Sequence, residues 1–437
     1  MFDGLMEPGD VRELLESRIE PQSSVEIINL YIEKTPSVGK KSGVFMRIMI
    51  FMCGEGLGHT SRCLALGKEF LAAGHETHFG AYGYSKELVE KTGYEAHEIP
   101  SEIKLVGKAG SLDFKGSVEA TLKNARLLGG PKLLKLTRDL RPDVVVSDSY
   151  YLGILAARAL KIPVYLIINQ SNMEEFFKSR GVPLRLLGEL SKKLYSHTFE
   201  KVDGIIIPDY PLPYTVCRQN LSFSPKVKEK VFYSGPLVRQ TPGEVKEISL
   251  AKPHVISLIG GFGYRAPIFK NVLETAKLDP EIHYTLISGP NLDPESLPEP
   301  PKNVQVLPFV KDPLPYFKSS GAVIAPGGHS TMMEALSFGI PVLSFPDEGH
   351  SEQENNAAVI EEEGYGRRLS YSSRPEVILE CIKEVLEDES YRKKTERLRR
   401  LAGNLDGPKS VRELLEKELD KKGKVKKKKD GGSTQED

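Results

Sequence analysis

His59 closes the run Gly54-Glu55-Gly56-Leu57-Gly58-His59, between the apolar stretch RIMIFMC and the amphipathic segment SRCLALGKEFLAAG. A glycine-rich turn that opens a helix points free backbone N–H groups, and the positive end of the helix dipole, at an anion or a polar reacting group. An imidazole there, with an ordinary pKa of about 6.5, can accept a proton at neutral pH. The run is not a dinucleotide fingerprint: His59 stands where the third glycine belongs, and the next strand, THFGAYG, does not end in an acid. The plainer alternative is a tight turn in which His59 only caps a helix.

A second glycine run, Gly260-Gly261-Phe262-Gly263, takes the same place in the other half of the chain, so that two such loops could face each other across a cleft. The richest segment lies beyond it, from Ala325 to Gly366. There Gly327 and Gly328 end a strand and Ser330 or Thr331 starts a helix, whose N-terminal amides can hold a diphosphate without a metal. His329 either donates to that phosphate or fills the turn. Glu334, one turn in, could accept two ribose hydroxyls; Thr331 to Glu334 also reads as a capping box. Gln353 and Asn356 follow the loop FPDEGHSEQ, and the Gln353 amide is the better placed to read sugar hydroxyls. No Asp-x-Asp occurs, so the usual carboxylate pair for a nucleotide-bound Mg²⁺ is absent from the sequence and no metal site is expected.

Elements that would carry these residues alternate as strand and helix twice over. RIMIFMC, THFGAY, DVVVSD, PVYLIIN and GIIIP form one series; HVISLI, YTLISG, VQVLPF, AVIAP and PVLSF form another. A Pro-, Ser- and Gly-rich stretch from DYPLPYT to RQTPGEVKE separates them as a hinge would. The division expected is an N-terminal extension over 1–45, domains over 46–235 and 236–405, and a helix with a Lys-rich tail over 406–437. The extension has no strand before Met46 and reads as dispensable or as a start site placed too early. In 437 residues, Lys plus Arg and Asp plus Glu both count 60, so no global basic field draws the chain to nucleic acid. Cys53, Cys63, Cys217 and Cys381 form no C-x-x-C pair, and no apolar run reaches the roughly 18 residues of a membrane span. A cytoplasmic protein follows.

From Met46 to about residue 405 the sequence resembles the GT-B glycosyltransferases of the MurG-like group, a group also similar to the eukaryotic enzyme that adds GlcNAc to dolichol diphosphate. GEGLGHTSR is similar to the GEGxGHxxR of archaeal and bacterial members, and GGHSTMMEALSFGIPVLSFP followed by EQENNA is the more specific match. The resemblance implies an α/β fold, two doubly wound Rossmann-like domains facing across a cleft. It implies inverting, metal-independent transfer of a hexose or N-acetylhexosamine from a UDP-sugar, with no cofactor, to a lipid-linked or cell-envelope glycan acceptor. His59 becomes the base or an essential positioner of the acceptor, beside Gly56 and Gly58. Glu334 becomes the ribose ligand, Gln353 the donor-sugar ligand, and Phe309 and Val310 the backbone contact to uracil. Gly260 to Gly263 and Gly328 to Thr331, with His329 and Ser330 between, become phosphate contacts.

Three departures qualify this. Leu57 replaces a glycine on the acceptor side, Glu352-Gln353 replaces a Gln pair, and Asn169-Gln170-Ser171-Asn172 lacks the group's acid, for which Asp148 is the substitute candidate. A UDP-sugar 2-epimerase and a non-catalytic sugar-nucleotide-binding subunit are the competing readings. Phe176, Phe177, Leu184, Leu186 and Leu187 among basic residues in 173–195, together with the Lys-rich tail, would let the protein rest on an anionic membrane face. The alternative is a helix packed on the sheet with snorkelling cations.

Overall fold

The computed structural model describes residues 44–423 apart from 103, 109, 114–115, 118, 122–128 and 173–181, together with 426–427. The extension at 1–43 and most of the basic segment at 173–195 that carries the membrane expectation, including Phe176 and Phe177, therefore lie outside the described residues or their described side chains, as does nearly all of the Lys-rich tail.

In the first half β1 (Arg47–Met52) leads into α1 (Leu57–Ala72), then β2 (Glu76–Ala81), α2 (Gly83–Lys91), β3 (Ala96–Glu98) and α3 (Gly129–Leu140). β4 (Val144–Asp148), α4 (Tyr151–Ala159), β5 (Val164–Ile167), α5 (Val182–Lys201), β6 (Gly204–Ile207) and β7 (Val231–Tyr233) complete it. Within this seven-stranded sheet every pairing is parallel, in the order β7-β6-β5-β4-β1-β2-β3. Parallel strands covered on both faces need continuous apolar runs rather than alternation, which is why VVVSD, VYLI and GIII are buried throughout.

The second half repeats the scheme with β8 (His254–Leu258), α6 (Ala266–Leu278), β9 (His283–Ile287), β10 (Val304–Leu307), β11 (Ala322–Ala325), α7 (His329–Ser337), β12 (Val342–Ser344), α8 (Ser351–Glu362) and β13 (Gly366–Arg368). Its parallel order is β10-β9-β8-β11-β12-β13. Helices α9 (Pro375–Glu387), α10 (Glu389–Leu405) and α11 (Gly407–Lys421) follow. Both sheets thus have one strand, β1 or β8, from which the chain winds outward in both directions. In such sheets the crevice at the carboxyl ends of the strands flanking that reversal holds ligands. Residues 53–59 and 148 lie there in one half, 259–265 and 326–328 in the other.

α11 does not stand apart as a tail. Val411, Leu415 and Leu419 are buried in the first half's core with Met46, Leu66 and Phe70. Arg412 binds Glu69 at 2.7 Å and Glu416 at 3.0 Å, and Glu416 also meets His75 at 3.0 Å. The chain thus crosses between the halves twice, near Gly235 and near Gly407. The crossings touch: a Cβ on Gly407 would sit 2.3 Å from the Pro236 carbonyl, and one on Gly235 would sit 2.9 Å from Leu405 Cβ.

Candidate functional site

α1 and α7 lie side by side, one from each half, with their N termini level. A Cβ on Gly58 would come within 2.6 Å of Ser330 Oγ, and one turn on Ser61 Oγ donates to Glu334 Oε1 at 2.8 Å. Only a glycine at 58 permits that approach. Leu57 fills the adjoining space against the second half's glycine run, 3.3 Å from where a Gly261 Cβ would be. Gly56, at φ 89°, makes the turn into α1, and that positive φ is the reason for glycine there. Two helix N termini, each with unpaired N–H groups, therefore meet at one end of the cleft.

His59, third residue of α1, stands at this junction. Its Nδ1 lies 2.8 Å from Oδ1 of Asp148, the last residue of β4, and its side chain is 24% exposed. Asp148 is fully buried. Arg62, one turn along α1 from His59, donates Nε to Asp148 Oδ2 at 2.5 Å and Nη2 to Oδ1, and lies 3.0 Å from His59 Nδ1. Burial pushes the Asp148 carboxyl up, but the Arg62 guanidinium and then His59 outweigh it and hold it well below the usual carboxylate range. Nδ1 is thus the ring atom turned to the buried acid, and Nε2 is the atom on the other side of the ring.

Arg62 Nη1 reaches Asn169 Oδ1 at 3.3 Å, and Asn169 Nδ2 donates across the cleft to Glu352 Oε1 at 2.7 Å. The carboxylate missing from Asn169-Gln170-Ser171-Asn172 is thus supplied in space by the opposite half. Glu352 also accepts from Asn356 Nδ2 at 3.0 Å, and Asn356 donates to the Gly327 carbonyl at 3.0 Å.

On the second half, α7 starts at His329 with Gly328 as its N-cap and no side-chain cap. Thr331 is inside the helix, so the capping box does not form; Glu334 turns instead to Ser61. Burial raises the Glu334 pKa, opposed by Arg239 and the Ser61 bond. A Cβ on Gly328 would meet nothing within 4 Å, so this turn is open. His329 does not face it with Nε2, which binds Asp209 Oδ2 of the first half at 2.9 Å. With Cys217, these residues form a buried group whose potential ligand atoms lie within 4.8 Å of one another, though Asp209 Oδ2 already accepts the Cys217 N–H at 2.8 Å.

Gln353 lies inside α8, not in a loop, and both its amide atoms are engaged with Asp347: Oε1 accepts the Asp347 N–H at 3.0 Å and Nε2 donates to Oδ2 at 3.2 Å. Arg265 chelates Asp347 through Nε at 3.0 Å and Nη2 at 2.6 Å, and the Tyr264 and Tyr371 hydroxyls each donate to it at 2.8 Å. A sugar contact by Gln353 would have to replace those bonds. Gly260, at φ 70°, turns the loop above this cluster, and Gly261 O accepts from Asn291 Nδ2 at 2.6 Å. Phe309 and Val310 follow β10, with the Phe309 ring edge-on to Tyr84 of the first half at 6.1 Å.

A strap from the first half crosses the cleft beside the Asp347 cluster. Glu55 Oε2 accepts the Leu105 N–H at 2.9 Å, and beyond it Gly110 N donates to Tyr264 O at 3.0 Å while Glu348 N donates to Gly110 O at 3.2 Å. Ser111 Oγ reaches Glu348 O at 3.3 Å. The sequence reading passed over this strap, Asp347 and Arg62. Arg62 had a signal, its i, i+3 spacing from His59 on one helix face; the others are joined only by tertiary contact.

Residues 255–406 match the glycosyltransferase family 28 C-terminal domain, and residues 46–233 match glycosyl transferase family 1. An uncharacterized glycosyltransferase of Methanosarcina acetivorans is 75% identical over 377 residues, spanning 86% of this chain and all of that protein. A UDP-N-acetylglucosamine–N-acetylmuramyl-(pentapeptide) pyrophosphoryl-undecaprenol N-acetylglucosamine transferase of Staphylococcus epidermidis is 25% identical, over 75% of this chain and 86% of that one. Among solved structures, the glycotransferase of kitacinnamycin superposes with a TM-score of 0.65 at 20% identity, over 86% of this chain and 99% of that one. The calicheamicin glycosyltransferase CalG4 gives the same TM-score, 0.65, over 86% and 98%.

Proposed function

The chain belongs to the GT-B glycosyltransferases of the MurG-like group, and on that premise we propose that it is an inverting, metal-independent enzyme. It moves a hexose or N-acetylhexosamine, GlcNAc foremost, from a UDP-sugar to a lipid-linked or cell-envelope acceptor. The observation that carries this reading is the His59–Asp148 pair, at 2.8 Å, set where the N termini of α1 and α7 converge. A proton acceptor and two positive helix ends are what a displacement with an anionic leaving group needs.

In this mechanism the acceptor oxygen attacks the anomeric carbon from the side opposite the diphosphate, and its proton passes to His59 Nε2. The bond from the anomeric carbon to the diphosphate oxygen breaks with its electron pair, and UDP leaves with an added negative charge. That charge meets the backbone amides at Gly328 to Thr331 and the dipole of α7, which do the work usually given to a divalent cation. Glu334 holds the ribose. The lipid nature of the acceptor draws on the activity of the Staphylococcus relative and on the exposed Leu155 and Leu194, 60% and 64% accessible, which the first half presents on α4 and α5. Among the described residues no helix is long and apolar enough to cross a membrane, so contact with a lipid carrier would be made from the surface.

The first experiment is thermal stabilisation of the purified protein by a panel of nucleotides and nucleotide sugars, with and without EDTA, since a ligand of the native state adds RT ln(1 + [L]/Kd). Stabilisation by UDP and one UDP-sugar, unchanged by chelator, is the expected result. No response to any nucleotide would remove the donor, and a response abolished by EDTA would remove the metal-free mechanism. Conversion of UDP-GlcNAc without an acceptor would instead identify a 2-epimerase.

A further inference from the structure

Histidine–carboxylate pairs are ordinarily singly negative, but the one here is not. The Asp148 carboxylate is chelated by Arg62 through Nε and Nη2, so acid and guanidinium together are neutral, and Arg62 Nη2 stands 3.0 Å from His59 Nδ1. Both Asp148 and Arg62 are buried, at 0% and 3% exposed, away from competing water. The remaining arm of Arg62 is held by Asn169, and Asn169 by Glu352 on the far side of the cleft. Separating the halves breaks the 2.7 Å Asn169–Glu352 bond and takes from the Asn169 amide, which holds that arm, its anchor across the cleft.

We infer that Arg62 is a positioning residue for His59, setting the charge and orientation of its carboxylate partner, and that the donor-side half holds Arg62 in place through Glu352 and Asn169. This rests on the reading of His59 as the base. Asp148 then acts on His59 through geometry more than through charge, holding the aim of the ring. The other titratable groups around His59 are Glu55 in the preceding loop, Cys63 behind Asp148, and Glu352 across the cleft. Of these and Asp148, Arg62 alone is a fixed cation.

The test is the NMR titration of the His59 imidazole in the full-length protein, assigned by its absence in His59→Ala. Replacing Arg62 by Gln leaves Asp148 as an unopposed negative neighbour, and the midpoint should move up by at least about one pH unit. Arg62→Lys, which keeps the charge, should restore most of the difference. Asn169→Ala, which only frees the third arm, should move the midpoint in the same direction by less. An unchanged midpoint in Arg62→Gln, or an equal shift in Arg62→Lys, would overturn the role of Arg62. An unmoved midpoint in Asn169→Ala would overturn the hold from across the cleft. Should Arg62→Gln fail to fold, the Lys and Asn169 variants decide the matter between them. The titration needs neither donor nor acceptor, so loss of the transferase reading, seen as no transfer by wild type, is a separate result.

Discussion

Ser61 on α1 donates a hydrogen bond of 2.8 Å to Glu334 on α7, so the residue proposed to hold the donor ribose is tied to the half that carries the base. On the proposed ribose role, donor binding and closure would be coupled at one carboxylate. Burial raises the Glu334 pKa, so its ionised form is a cost to the fold at neutral pH. Glu334→Gln should therefore keep or slightly raise the melting temperature while weakening UDP roughly 10- to 100-fold. Melting curves with and without UDP check both halves of this; unchanged UDP affinity would remove the ribose role.

His59→Ala should lower transfer by at least about 100-fold while UDP stabilises the variant as it does wild type. A parallel loss of nucleotide binding, measured in the same melts, would make His59 a structural residue.

Gln353→Ala leaves the Asp347 N–H without its acceptor and should lower stability by about 1–3 kcal/mol. Because the amide engages Asp347, UDP and UDP-sugar should lose stabilisation together. A loss confined to the UDP-sugar would show that the amide turns to the sugar when donor binds.

Glu102 gives a pH dependence. Its carboxylate accepts the Tyr151 N–H at 2.9 Å and that of Leu152 at the start of α4, but burial outweighs these bonds and raises its pKa to about 7. A carboxyl raised in the folded state stabilises fully below its unfolded pKa of about 4.3 and loses that contribution as pH rises through the folded value. The melting temperature should therefore fall between about pH 4 and 7, and Glu102→Gln should flatten that slope whatever its effect on absolute stability.

Both sheets were legible in the sequence because buried parallel strands are written as runs such as VVVSD and HVISLI. The short edge strands β3, β7 and β13 were not, since three residues carry no periodicity. His59, the Gly328 turn and Asp148 could be found because glycine, a chain reversal and a polar strand end coincide. What escaped depends on which groups meet in space. Gln353 reads by type as a sugar ligand, but its amide makes two hydrogen bonds to Asp347, one to the buried carboxylate and one to the backbone N–H. His329 was read as a phosphate donor or turn filler, and Asp209, 120 residues earlier, takes its Nε2. Glu352 stood for a donor-side substitution, whereas Asn169 brings it to the acceptor side.

The two crossings between the halves, at Gly235 and Gly407, are in mutual contact rather than at opposite ends of the cleft. Two chain segments pinned side by side allow rotation about a short axis through them and little sliding. The strap at Gly110 and Ser111 is joined to Tyr264 and Glu348 by two backbone hydrogen bonds and one from the Ser111 hydroxyl, so a swing of one half on the other that carries the strap from Tyr264 must part them.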